Sequence, residues 1–478
     1  MYIRMNTTSG DGRPRSRRWV LRTAGALALA GLAGCTDSGD GTNTTPEDTP
    51  AGTDTETPTG TDPGTPTQTP AGTEPLYEQA SKIGAADIGS EGMLGWSVAV
   101  SDDGATALVG ELLDDEQREE LRTYVLSRSN DSWSLQATLT ASVADATDLV
   151  PWTVALSGDG TTAFVSVVGA IGNGGGVYVF EESGGSWSQQ ARLVPGDDRE
   201  GLFGYATAVS EDGTTVLVSN NMGFDDLDGG GVEVSVFQQS GGSWSQQATL
   251  DPDDGVLEDS VVSVAISSDG TTAVVGVPVD SRVSAAEEGV AYVFAESRGT
   301  WRQQTTLTGD AELNPAFGIS VDISGDGNTV LVSAPAPGGP IAADGAAYVF
   351  TQSDGLWSRA ATLVPGEDPT GGFGWRVGLS DDGNTAIVIA PQNDGAGGGS
   401  AAVFSKSSDA WRRSDTLVPD TRTEDQVFGY SGVIAGDGHT VLIGSFALSV
   451  NEGVRTGSVY VYRRNGPPPP PPTGGDNL

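Results

Sequence analysis

Residues 262–277 read Val262-Ser263-Val264-Ala265-Ile266-Ser267-Ser268-Asp269-Gly270-Thr271-Thr272-Ala273-Val274-Val275-Gly276-Val277. Two apolar, β-branched runs flank Asp-Gly, and Gly270 supplies the positive φ that a tight hairpin turn needs. Moving outward, Val290 to Phe294 forms a third run, Ser297-Arg298-Gly299 a turn, and Trp301 to Leu307 a fourth run. The first two runs are apolar on successive residues, the pattern of strands buried on both faces. They favour Ala, Gly, Ser and Val, whereas the fourth run opens with Trp301.

The unit recurs. Asp-Gly stands at Asp103-Gly104, Asp159-Gly160, Asp212-Gly213, Asp269-Gly270, Asp326-Gly327, Asp382-Gly383 and Asp437-Gly438, at spacings of 56, 53, 57, 57, 56 and 55 residues. Trp opens the fourth run at Trp133, Trp187, Trp244, Trp301, Trp357 and Trp411. A fixed period of this size means stacked or ring-forming units, and it overrides the division into about three domains that length alone suggests. Small side chains on the inner strands and an indole on the outer one suit blades that diverge from an axis. The expected fold is all-β, a seven-bladed β-propeller of four-stranded blades. The seventh unit ends at Tyr460-Val461-Tyr462 without a Trp strand. Upstream, Tyr77-Glu78-Gln79-Ala80-Ser81-Lys82-Ile83 matches Trp187-Ser188-Gln189-Gln190-Ala191-Arg192-Leu193 in spacing. This N-terminal strand is therefore predicted to complete the last blade and close the ring, removing an exposed edge.

Further marks carry a family resemblance. Phe203-Gly204, Phe317-Gly318, Phe373-Gly374 and Phe428-Gly429 begin first strands, with Leu94-Gly95 a close variant; units two and four carry Val150-Pro151 and Ser260-Val261 instead. Gly276-Val277-Pro278, Ser333-Ala334-Pro335 and Ile389-Ala390-Pro391 resemble a Gly-Ala-Pro element. The pattern resembles the FG-GAP repeat, the unit of the integrin α-subunit propeller. That resemblance implies calcium loops in the first hairpins and a ligand face opposite the Asp-Gly turns. The calcium-loop ligands are largely missing: only unit five brings Asp322, Ser324 and Asp326 together, and Val330 breaks the set. The recurring Asp reads as a turn former.

Composition excludes several chemistries. Asp and Glu number 64 against 24 Lys and Arg, giving a net charge of −40, so nucleic acid is not an expected partner. One Cys and one His leave no disulfide framework or thiolate metal site, and a Ser-His-acid triad could use only His439, read as an exposed turn residue. Only Lys82 and Lys406 are lysines, and the acidic balance resembles that of proteins of salt-loving archaea.

The N-terminus reads as a processing signal. Ser16-Arg17-Arg18-Trp19-Val20-Leu21-Arg22 resembles a twin-arginine export signal, with Arg17 and Arg18 as its pair. The uncharged run Thr23 to Thr36 that follows is too short to span a bilayer as a helix. It contains Leu32-Ala33-Gly34-Cys35, which resembles a lipobox, so Cys35 is the expected lipid anchor, holding the protein on the outer face of the cell membrane. Residues 36–75 hold 14 Thr, 7 Pro and 8 acids with no aromatic or large aliphatic side chain, a composition that cannot bury a core. The expected divisions are a signal peptide over residues 1–34, lipidated Cys35 and an acidic stalk over 35–75, the propeller over 76–463, and a Pro-rich tail over 464–478. Asn43 and Asn130 begin Asn-x-Ser/Thr sequons and are candidate glycosylation sites.

Function is expected on the upper loops, which vary where the Asp-Gly turns do not. The candidate ligand-face residues are Asp114, Asp115, Glu116, Asp225, Asp226, Asp228, Glu287 and Glu288. Asp225, Asp226 and Asp228 form the densest carboxylate cluster and the metal candidate, with calcium as the ion. The expected role is a monomeric cell-surface binding or adhesion module for a protein or glycan. A carbohydrate-active enzyme using upper-face carboxylates and a structural envelope protein are the alternatives.

Overall fold

The computed structural model describes residues 2–8, 14–20 and 75–466, less residues 91, 113–121, 142–149, 169–174, 197–201, 222–231, 252–262, 279–288, 311–315, 336–344, 367–370, 392–398, 409, 422–425 and 449–454. The chain divides into two units, residues 1–64 and 65–478. The first carries an antiparallel pair, Tyr2–Thr8 with Pro14–Val20, in which Arg17 lies opposite Met5 and Arg18 opposite Arg4. Strand structure thus occupies part of the segment expected to be a signal. Cys35 and Asn43 lie outside the described residues.

The second unit is a β-propeller of seven four-stranded antiparallel sheets. Blade four shows the plan: Ser263–Ile266, Thr272–Val277, Val290–Ser297 and Thr300–Thr308, paired in that order. The core is divided among the seven gaps between blades. In blade one, Leu108 and Val125 pack toward blade two, while Ala107, Val109, Tyr124 and Leu126 pack toward blade seven. This explains strands apolar on successive residues, since alternate side chains serve different interfaces. The outer-strand indoles wedge into the same gaps: Trp244 of blade three meets Phe164 of blade two edge-on, centroids 5.7 Å apart. Wide side chains are needed there because the gaps widen away from the axis.

The ring closes as predicted. Tyr77–Gly84 pairs with Arg455–Arg464 to complete blade seven, Tyr77 opposite Arg464 and Ile83 opposite Val459. The register even repeats the shift of the Trp strands: Gln79 and Ser81 straddle it here, Gln189 and Ala191 in blade two. Tyr77 takes the Trp position, 3% exposed, its hydroxyl donating to the Gly438 carbonyl and its amide to Asp415 Oδ2 of blade six at 2.7 Å. On the other side Arg463 pairs with Asp131 of blade one. The last strand of blade seven runs to Arg464, one residue past the expected boundary.

Each hairpin turn is fixed by its Asp. In blade four, Asp269 Oδ1 accepts from the Ser267 hydroxyl at 2.7 Å, the Thr271 amide at 3.0 Å and the Thr271 hydroxyl at 2.8 Å. Burial raises the Asp269 carboxyl's pKa, but these donors outweigh it and the net shift is downward. The recurring Asp is thus a turn anchor. Asp322 of blade five also serves packing: it accepts the Leu379 amide of blade six at 2.7 Å and the Ile323 amide at 2.9 Å. His439 departs from its expected exposure. Its side chain is 15% exposed, with Nδ1 2.8 Å from the Asp437 carbonyl, in the turn that the closing strand's Tyr77 covers.

Candidate functional site

The first strands lie innermost, and two positions along them decide the chemistry of the axis. The lower position is x in Ser-x-Asp-Gly, held by Asp102, Gly158, Glu211, Ser268, Gly325 and Asp381, with Gly436 after Ala435 in blade seven. Their backbones form a closed belt. Asp102 N–H donates to the Gly158 carbonyl at 2.9 Å, Gly158 to Glu211 at 2.9 Å, Glu211 to Ser268 at 3.1 Å and Ser268 to Gly325 at 3.0 Å. Gly325 donates to Asp381 and Asp381 to Gly436, both at 2.9 Å, and Asp437 N–H returns to the Asp102 carbonyl at 2.9 Å. Three of the seven positions hold acids, and these crowd together. A Cβ on Gly436 would lie 2.0 Å from Asp381 Oδ2 and 2.9 Å from Asp102 Oδ1, and one on Gly158 would lie 2.1 Å from Asp102 Oδ2. Burial first, then Asp381 and Glu211, push the Asp102 carboxyl up to about 7; burial, then Asp322 and Glu211, push Asp381 up to about 6.

The upper position follows the Phe-Gly pair. Phe203, Phe317, Phe373 and Phe428 are buried, each edge-on to an aromatic of its own blade's third strand. The glycine after each has φ between 89° and 92° in Gly204, Gly318, Gly374 and Gly429. Besides this φ, a Cβ on Gly318 would lie 2.6 Å from the Val290 carbonyl oxygen of blade four, so only glycine fits. Strand pairing skips here, between Leu94 and Val98, Pro151 and Val154, Phe203 and Thr207, and Phe428 and Ser431. Such bulges re-aim a side chain.

The re-aimed residues are aromatic in five blades: Trp96, Trp152, Tyr205, Trp375 and Tyr430, all half-buried. They touch in series across neighbouring blades. Tyr205 and Trp152 have centroids 5.1 Å apart, Trp152 and Trp96 5.5 Å, Trp96 and Tyr430 4.6 Å, and Tyr430 and Trp375 6.4 Å. Phe446 backs the arc, 4.8 Å from Tyr430. Trp375 Nε1 donates to the Tyr430 carbonyl at 3.2 Å, fixing one indole. Beside it stands Arg376, its guanidinium 5.8 Å from the Trp375 ring centre. Burial raises the Tyr205 hydroxyl to about 12, and the Arg376 charge works against that rise at both Tyr205 and Tyr430. The Arg376 charge in blade six thus acts on tyrosine hydroxyls of blades three and seven. Among the described residues no carboxylate pairs with it. By strand rise, this arc and the acidic belt lie roughly 20 Å apart.

None of the acids expected to form the site can be placed: Asp114, Asp115, Glu116, Asp225, Asp226, Asp228, Glu287 and Glu288 lie outside the described residues. Glu111, at the edge of one such loop, is buried and accepts from Ser90 Oγ, the Gly92 amide and the Tyr124 hydroxyl, tying the closing segment to blade one. Asn130 is exposed at a turn with φ 57°. Among the described residues no group of three or more His, Cys, Asp or Glu is arranged to hold a metal ion, and no helix is long and apolar enough to cross a membrane.

A family model for the FG-GAP repeat matches residues 301–350, a span that includes Phe317-Gly318 and Ser333-Ala334-Pro335. With the seven blades, that match supports an FG-GAP propeller. No curated protein matches the sequence. Among solved structures, the Cps50 (Swd1) β-propeller domain of Myceliophteria thermophila is 10% identical, covering 79% of this chain and 99% of that one with a TM-score of 0.50. A putative 6-phosphogluconolactonase from Bacteroides uniformis is 15% identical, covering 69% and 86% with a TM-score of 0.46. A periplasmic gluconolactonase of Pseudomonas aeruginosa is 18% identical, covering 67% and 84% with a TM-score of 0.43. Likeness at this level bears on the fold alone.

Proposed function

We propose that the chain is a binding or adhesion module of the cell surface. In this reading it is exported through Arg17 and Arg18, anchored by a lipid on Cys35, and presented to protein or glycan ligands by an acidic stalk in concentrated salt. The observation that carries the binding role is the half-buried aromatic arc with Arg376, which has no carboxylate partner among the described residues, at the axial end opposite the Asp-Gly turns. Partly exposed indoles and phenols beside a cation with no carboxylate partner among the described residues present recognition chemistry, and a rigid frame keeps them in place without a ligand. The proposal assigns Asp114, Asp225 and Glu287, which lie outside the described residues, to the same binding role, with calcium at Asp225, Asp226 and Asp228 as an optional bridge.

The test is an array of glycans and purified envelope proteins probed in molar salt, with and without calcium. Saturable binding without turnover, weakened by Trp96→Ala, supports the module; no binding anywhere on the array leaves a structural envelope role. Release of the Cys35→Ser protein from membranes tests the anchor. Carbohydrate cleavage is the competing reading, favoured by the crowded, proton-retaining pair Asp102 and Asp381. Polysaccharide turnover abolished by Asp102→Asn would establish it in place of the module.

A further inference from the structure

The aromatic arc alone would suit many ligands, and the charges narrow the choice. The chain carries a formal charge of −40, and three carboxylates crowd the lower end of its axis. Against that background Arg376 stands over Trp375, at one end of the arc that runs through Tyr430, Trp96 and Trp152 to Tyr205, with no carboxylate partner among the described residues. Several other arginines are satisfied: Arg128 bonds the Gly104 carbonyl at 2.9 Å and Arg359 pairs with Asp310 at 2.6 Å.

We propose that this end of the axis binds an acidic saccharide, Arg376 taking the carboxylate of a hexuronic acid residue while the aromatic arc stacks against the sugar rings. This rests on the binding role proposed above and names its ligand class. A guanidinium is planar and presents paired N–H donors that match a carboxylate in two parallel bonds. Indole and phenol faces give a pyranose ring's C–H face an apolar platform, and their edges leave donors for its hydroxyls. The Tyr205 and Tyr430 hydroxyls make no hydrogen bond among the described residues, so both are available to sugar oxygens. One guanidinium balances one carboxylate. A polyphosphate would bring several negative charges to a site where Arg376 is the one cation against the arc among the described residues, inside a chain whose overall field repels anions.

The probes are an oligogalacturonate of four residues and a neutral tetrasaccharide of the same length, titrated into the full chain by calorimetry at one molar salt concentration. The wild-type protein is expected to bind the acidic probe about tenfold or more tightly than the neutral one, about 1.4 kcal/mol. Arg376→Gln should bring the two within about twofold, while Arg376→Lys retains part of the preference, since charge survives without the planar fork. Trp96→Ala should weaken both probes alike. Circular dichroism and the melting temperature of each variant control for folding, and the wild-type preference needs no variant at all. Equal affinity of the wild-type protein for both probes overturns the acidic assignment and leaves the binding role standing. Preference that survives Arg376→Gln in a folded protein places the anion elsewhere and overturns it too. Absence of binding to either probe overturns it, whatever else the glycan and protein array finds.

Discussion

Tyr77→Ala tests the closure of the ring most directly. Among the described strands, Tyr77 opens the one blade strand supplied from the other end of the chain, and it occupies the position that Trp411 holds in blade six. Both are buried, Tyr77 at 3% and Trp411 at 4% exposure. Removing a buried aromatic ring to Ala costs about 3–5 kcal/mol, and the lost hydroxyl bond to the Gly438 carbonyl is included in that range at about 1 kcal/mol. Tyr77→Phe should isolate the second part. The backbone amide bond to Asp415 survives both changes, so the strand keeps one tether. The measurement is urea unfolding in molar salt, followed by circular dichroism, for Tyr77→Ala, Tyr77→Phe and Trp411→Ala. Comparable losses for Tyr77→Ala and Trp411→Ala are expected, with Tyr77→Phe about 1 kcal/mol below the parent. A Tyr77→Ala protein within about 1 kcal/mol of the parent, beside a Trp411→Ala protein that loses the full amount, would refute closure by this strand.

Asp102 is held up to about 7 and Asp322 and Asp381 up to about 6, so the folded protein takes up protons above the pH at which the unfolded chain does. Melting temperature should therefore rise as pH falls from about 8 toward 4.5, and Asp102→Asn should flatten that rise; a steady fall over this window would sink the assignment. Below about pH 4 the direction reverses, because Asp159, Asp212, Asp269 and Asp326 are held low by turn donors that outweigh their burial. Ser267→Ala removes a donor to Asp269 and an acceptor for the Thr272 amide at 3.0 Å, and should cost about 1–2 kcal/mol in denaturant unfolding; no change would deny the turn its structural role. With a charge of −40, dialysis to below about 0.1 M salt, where the Debye length exceeds about 10 Å, should lower the melting temperature, and a fold indifferent to salt would count against the halophilic reading.

The frame was legible because its signals are local and repeated. Asp-Gly between apolar runs announces a hairpin wherever it occurs, and a seven-fold period turns seven hairpins into a ring. Even the closing strand could be aligned with its Trp siblings, because its pairing follows the same register. The axis was harder to read. Trp96, Trp152, Tyr205, Trp375 and Tyr430 are separated by whole repeats, and their aromatic character has meaning only once the first strands are known to be innermost. Their signal was nonetheless present, at one fixed place: the residue after the glycine of Phe-Gly, or after Pro151 in unit two. The acids of the belt stand one residue before Asp-Gly, at a position that holds Asp, Glu, Ser or Gly, and they meet only once the first strands close around the axis. His439 is more buried than a turn residue should be for a related reason, because the cover over its turn comes from the far end of the sequence.

The two axial positions differ in how freely they can vary, and that difference follows from the backbone. In the belt, several x residues have no room to change: a side chain on Gly158 or Gly436 would collide with Asp102 or Asp381. Acids at blades one, three and six therefore require small residues in the blades between, and the pattern is fixed as a set. At the other end, the buried Phe carries the packing and the glycine carries the positive φ, so the residue that follows is released from both tasks. It is half-buried against neighbours of its own kind and free to be Trp, Tyr or, in blade five, Ile319. A repeat built this way can change what it recognises one blade at a time while its frame stays constant. Recognition at the Phe-Gly end and constraint at the Asp-Gly end are consequences of the same first strand, read at two positions.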